Sequence, residues 1–427
     1  MVNYLAHENG AFVVENGAFV TEASYDSGGG GDGGDGGGSG PGGSPQTTPT
    51  QPPADRAAQA GLTINTTTTV TSTSQINGDA NTLHIIDGNS QDPFTWDGPM
   101  DLGSIDDTAI CGINGASISL PAGFRDRMIT VSGGSGFLWS GVDIDQTASG
   151  AWGRFNINTS TNGIIEFVRT IGKGRRANPD PSEEPYGATT GATISIPAGS
   201  SSGTNHIRNV EFIHGGVFAN QHFGDRPIGI FLAGGHSGTL RIERSVFEEF
   251  PNNGLYATNT TGEVIVADTR IWNNGVTNGR IARGEFINCV SGFDYTDTGM
   301  MNANNPGHAV RGFSVEDKGK GTDVDITNCT VRLVNVANAG GGIVTDDFGD
   351  GAGTFDQVTG TDVHIYNAQD VPDVRIEEGS INAITDCTFE GTADSGVSVQ
   401  NNGPSVTVSN NSFDYPAGRQ RYAGPID

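Results

Sequence analysis

The residues able to do chemistry gather in three stretches of the chain. One holds Asp346, Asp347, Phe348 and Asp350; a second holds Asp294, Tyr295, Asp297 and His308; a third holds His214, His222 and Asp225. Two carboxylates set across a scissile bond are what acid–base cleavage of a glycoside requires, so Asp346, Asp347, Asp294 and His308 are the catalytic candidates. The same hard oxygens suit Ca2+, with Asp346, Asp347 and Asp350 as the candidate ligands and no other cofactor expected. The third reading is plain solvation, since the chain contains 33 Asp and acidic loops are common in it. The histidines have no metal-ligand spacing and read as hydrogen-bonding loop residues. Trp272, Tyr256, Tyr295 and Phe348 stand at or near loop positions, where flat rings beside Asp and Asn suit sugar faces.

Composition narrows the partners. The 427 residues carry 49 acidic against 22 basic groups, a net charge of −27, with only three Lys and 66 Gly. Binding to nucleic acid needs a basic face, and this chain offers none at that scale. An anionic membrane surface is disfavoured for the same reason, and no apolar run approaches the ~18 residues of a spanning helix. No Lys or Arg precedes Arg56, so the basic start of a secretory signal is not seen. An Asp-rich, Lys-poor surface suits concentrated salt, where screening shortens self-repulsion, and the expectation is a halophilic source. Four Cys make no disulfide framework; Cys329 and Cys387 read as small buried residues.

An imperfect repeat positions these loops. Its unit is apolar, any, Asn/Asp/Arg, small, any, apolar: Ile207 to Phe212, Ile242 to Phe247, Val266 to Ile271, Ile326 to Val331, Ile384 to Phe389 and Val408 to Phe413. A second unit begins at Gly229, Gly254, Gly342 and Gly396. Ile242 to Gly254 and Gly254 to Val266 are each 12 residues, so one turn takes 24, in two halves. A polar third residue that tolerates left-handed backbone lets the chain bend while its flanks still point inward. Short strands at this period, without 3.6-residue periodicity, predict a solenoid of parallel strands.

This pattern resembles the right-handed parallel β-helix proteins of the pectate-lyase-like and viral tailspike-like superfamily, over about residues 140–415. The expected fold class is all-β. The solenoid hosts lyases, hydrolases, adhesins and spikes alike, so the resemblance does not choose a function. Polygalacturonase-like enzymes carry an Asp-Asp before a Gly-His-Gly; here Gly307-His308 precedes Asp346-Asp347. Arg311 near Asp294 and Asp297 is a loose echo of the pectate-lyase arginine.

Five segments are expected: a docking element at 1–25, a flexible Gly/Pro/Thr-rich linker at 26–60, a β neck or cap at 61–139, the β-helix at 140–415 and a tail at 416–427. Asn9-Gly10 and Asn16-Gly17 are hairpin turn signals. The strands around them have no core of their own, making Phe12, Val13, Phe19 and Val20 candidate anchors. Anchor, linker and rod resemble the tailspike layout. It implies a virion spike, turret or tail-fibre protein, tied to a capsid or tail protein through 1–25. Its location would be the virion surface or extracellular, its ligand a host glycan or glycoprotein, and its oligomer a homotrimer. The alternatives are a polysaccharide lyase or glycoside hydrolase, and a halophilic cell-surface structural protein.

Overall fold

The computed structural model describes residues 14–15, 18–19, 45–90, 94–124, 126–148, 151–171, 192–213, 227–294, 310–316, 322–334, 336, 339–346, 355–361, 363–377, 383–403 and 405–426. From Thr66 onward the chain is a parallel β-helix. Each turn lays one strand on each of three sheets, and every strand pairs in parallel with its counterpart one turn later. One full turn shows the plan: Thr239–Glu243 on the first sheet, Val246–Glu248 on the second and Leu255–Ala257 on the third. The expected two half-turns of 12 residues are thus three strands. The six-residue unit contains two of them, broken at its polar third position.

That break is where the sequence signal is sharpest. Asn209, Arg244, Asp268, Asn288, Asn328, Asp386 and Asn410 all have φ between 48° and 57°. Asn and Asp tolerate this left-handed conformation because their short side chains bond locally. They also form a ladder between turns: Asn328 Nδ2 donates to Asn288 Oδ1 at 2.7 Å, and Asn288 Nδ2 to Asp268 Oδ1 at 3.0 Å. Asn328→Val should therefore cost about 1–2 kcal/mol from backbone strain alone, while Asn328→Gly should lose only the ladder bond. Urea denaturation of the two variants separates these outcomes.

Period-2 alternation sends one column of side chains inward from each sheet. On the first sheet Ile207, Ile242, Val266, Phe286 and Ile326 stack in register and are buried. Phe286 meets Phe313 of the third sheet at 4.4 Å between ring centroids. The small residue after each bend also faces inward, and Cys289, Cys329 and Cys387 are buried free thiols, as the repeat predicts.

Three segment boundaries are corrected. Residues 61–139 are not a separate neck: Thr66–Val70 pairs with Thr82–Asp87, which pairs with Ser104–Ile113, continuing one ladder into Gly133–Ser140. The repeat fades there because aromatic edge contacts (Trp96–Trp139 at 5.9 Å, Trp139–Phe155 at 5.3 Å) fill the core, although Asn114 (φ 54°) still makes the left-handed bend. The end of the linker is ordered: Pro53–Gln59 is a helix packed on the outside of the first sheet. The tail supplies Gln420–Ala423, a third-sheet strand paired with Val397–Asn401. Val14–Glu15 and Ala18–Phe19 pair antiparallel. Phe12, Val13 and Val20 lie outside the described residues.

The last turns are tied by a buried polar cluster. Asp373 Oδ1 accepts from Asn367 Nδ2 (2.8 Å), Tyr415 Oη (2.8 Å) and Arg419 Nη2 (3.2 Å). Burial pushes the Asp373 carboxyl up to about 6 despite these donors. The native state then holds this proton more tightly than the unfolded chain, where Asp titrates near 3.8. The contribution to stability is present below about pH 4 and is lost as pH rises through about 6. Subtracting the Asp373→Asn stability profile from that of the parent should expose this fall; parallel profiles would contradict it.

Candidate ligand face on the third sheet

Function on a solenoid sits where insertions break the repeat. Second-to-third-sheet connections are short in regular turns, as from Glu248 to Leu255 and from Trp272 to Thr277. They are long from Ile171 to Ala192, Phe212 to Ile228 and Phe293 to Val310. On the opposite edge, the run from Asp346 to Phe355 leaves the third sheet. The outer face of the third sheet is thus the one bordered by insertions on both sides.

Register builds a row of side chains on that face. Phe231, Tyr256, Arg280, Ser314, Val344 and Arg375 occupy successive turns at one position. Their inward neighbours Ile230, Leu255, Ile281, Phe313, Val315, Ile343 and Ile376 fix the outward direction by burial in the core. Phe231 and Tyr256 meet at 5.6 Å between ring centroids, and the Arg280 guanidinium lies 5.0 Å from the Tyr256 ring centre. Arg280 also pairs with Glu316, two residues beyond Ser314 on the same face, and Glu316 is fully buried. Arg375 pairs likewise with Glu377. The Ser314 hydroxyl is buried without a hydrogen-bond partner among the described residues. The half-buried Phe231 and Tyr256 rings form a platform suited to the flat face of a sugar, while Arg280 (8% exposed) and Ser314 (0%) are covered and support it from beneath.

The sequence candidates distribute unevenly. Tyr256 belongs to this row. Trp272, expected at a loop, lies on the outer face of the second sheet and is only 7% exposed. Its ring lies over Gly292 of the next turn, where an added Cβ would come within 2.7 Å of it, and Arg270 stacks on it at 5.0 Å. That packing makes Trp272 a structural residue. Asp294 follows the second-sheet strand Val290–Phe293 and so sits on the entry edge of the third sheet; its backbone N–H donates to Asn273 Oδ1 at 2.8 Å. Asp346 ends the third-sheet strand Ala339–Asp346, at the exit edge, with its backbone in register with Glu316. The third-sheet strands there run seven or eight residues, about 20–25 Å. The two acidic stretches therefore start from opposite edges of the sheet. Tyr295, His308, Asp347, Phe348 and Asp350 lie outside the described residues, as do His214, His222 and Asp225. Among the described residues no group of three or more His, Cys, Asp or Glu could hold a metal.

Sequence reading missed Phe231, Arg280, Ser314 and Glu316. Their available signal was the alternation after Gly229, Gly254 and Gly312, which puts Phe231, Tyr256 and Ser314 two residues on, in the outward position; Arg280 is assigned only by register, since Gly279 stands opposite Leu255. His236, expected to be a hydrogen-bonding loop residue, is buried; Nδ1 accepts from Ala198 N–H (3.1 Å) and Nε2 lies 3.0 Å from the Glu263 carbonyl.

No protein-family model matches the chain, and no curated protein matches it. Among solved structures, the chain is similar to the A-module of mannuronan C-5 epimerase AlgE4 from Azotobacter vinelandii. Identity is 15%, the TM-score is 0.39, and the alignment covers 88% of this chain and 93% of that one. The parallel β-helix fold itself is established by the strand pairing.

Proposed function

We propose that this chain is a glycan-binding β-helix whose ligand lies along the outer face of the third sheet. The carrying observation is the half-buried Phe231–Tyr256 ring pair with Arg280 stacked on it, on the face bordered by insertions at both edges. The fixed Arg280–Glu316 and Arg375–Glu377 pairs suit recognition, because each carboxylate is already committed to an arginine. The biological role that fits is surface attachment: a virion spike or fibre, anchored by its N-terminal segment, presenting the rod to a host glycan, in homotrimeric form.

A second reading uses the same face. Asp346 lies in backbone register with Glu316, next to the Arg280 pair, which is where a lyase or hydrolase would need a second acidic group. One experiment separates the readings. The intact chain is passed over immobilised neutral and acidic polysaccharides, and soluble fragments are assayed by reducing ends. The attachment reading expects retention without fragments, and Tyr256→Ala weakening retention about tenfold or more, roughly 1.4 kcal/mol. Fragments that vanish in Asp346→Asn would establish the enzymatic reading. Absence of both retention and cleavage would remove the third-sheet face as a glycan site.

A further inference from the structure

Residues 49–62 run along the outside of the first sheet and end at its first strand. The helix Pro53–Gln59 has seven residues, too short to be stable by itself. It is held by Ala57, Ala60 and Leu62, which pack on an apolar strip of outward residues, Leu83, Ala109, Leu138 and Ile164, one from each of four turns. Pro49 also closes on Gly141. Between these contacts Arg56 is only 2% exposed and reaches across two strands: Nη2 donates to the Gly112 carbonyl (2.6 Å), and Nη1 to the Ser140 carbonyl and hydroxyl (2.9 Å each).

The partners of Arg56 are arranged so that its departure leaves no buried charge alone. The Ser140 hydroxyl donates onward to Glu166 Oε1 at 2.9 Å. Glu166, the one carboxylate of the network, is held independently by Arg208 at 2.6 Å, from the rod itself. Losing Arg56 therefore uncovers two carbonyls and a hydroxyl that water can satisfy. The guanidinium, held only by neutral groups, regains full hydration in exchange. The strand pairing of the rod, from Thr66 onward, is made without residues 49–62, which leaves the strap free to act as a two-state element.

We propose that residues 49–62 form a releasable clasp: closed, it lies flat on the flank of the rod; open, it lengthens the N-terminal tether and bares the apolar strip. The segment from 49 to the start of the first strand is about 17 residues, and its full extended length is roughly 55 Å, of which release adds whatever exceeds its docked span. A pull on the N-terminal segment then meets contacts with four turns before it reaches Thr66–Val70, an edge strand paired on one side only. The clasp governs how far the ligand face stands from its anchor, and in that use it rests on the tethered-rod reading. Its opening is a property of the chain alone.

Cys111 reports on it directly. It faces outward beneath the clasp and is buried, whereas Cys289, Cys329 and Cys387 are buried inside the rod. The intact protein is exposed to a maleimide and each thiol is followed by mass spectrometry. Cys111 should react at least tenfold faster than the interior three. Arg56→Ala should raise the Cys111 rate a further tenfold without moving the others, and Leu62→Ser should do the same through the apolar contacts. Four thiols reacting at one common rate, or a Cys111 rate indifferent to both substitutions, would overturn the clasp. Neither readout involves a glycan, so it stands or falls separately from the attachment reading.

Discussion

Arg419→Ala should lower stability by about 3–5 kcal/mol, among the largest losses of any single substitution in this chain. The side chain is fully buried, as is that of its ion-pair partner Asp373. Besides that pair, Nη2 donates to the Val371 carbonyl (2.7 Å), Nη1 to the Ser395 carbonyl (2.9 Å) and Nε to the Ser398 hydroxyl (3.2 Å), while the guanidinium stacks on Tyr415 at 4.5 Å. One side chain thereby joins three successive turns. Truncation strands three acceptors and leaves a buried carboxyl without its cation. The cost arises chiefly from the unpaired partners, so Arg419→Met combined with Asp373→Leu should recover much of it. Chemical denaturation decides: a single-variant loss below about 1 kcal/mol would show that the cluster is solvated in solution.

The second large effect belongs to the ligand face. Glu316→Ala leaves Arg280 without its carboxylate and should cost about 3–5 kcal/mol, since Glu316 is fully buried and Arg280 nearly so. It should also free Arg280 from its position over Tyr256 and so weaken glycan retention, linking stability and binding at one residue. Glu316→Gln keeps the shape and one acceptor, and should lose less stability than Glu316→Ala while still loosening Arg280. If Glu316→Ala unfolds the chain, Glu316→Gln carries the test; retention unchanged in a folded Glu316→Gln protein would detach the ion pair from recognition.

How much of this was readable beforehand follows from where the physics is local. The bend at Asn209, Asp268, Asn288 and Asn328 is a property of one residue and its φ, so composition at one position revealed it, and six copies gave the period. The same criterion failed before residue 140, where Asn114 still makes the left-handed bend but Trp96 and Trp139 carry the core; the ladder continues but the six-residue signature around the bend does not. Arg56 looked like part of a linker because its partners are 56 and 84 residues away. Trp272 looked exposed because nothing in its neighbourhood says that Gly292, one turn on, leaves room for its ring. The row Phe231–Tyr256–Arg280–Ser314 is spread over more than 80 residues and exists only through inter-turn register.

The claim that the ligand lies on the outer face of the third sheet is tested most directly by hydrogen exchange of the intact chain, with and without a retained oligosaccharide. The account predicts added protection in Ile228–Phe231, Leu255–Ala257, Thr277–Ile281 and Val310–Glu316, with first-sheet strands such as Thr239–Glu243 unchanged. Protection confined to first- or second-sheet strands, while these four segments exchange as in the free protein, would contradict it.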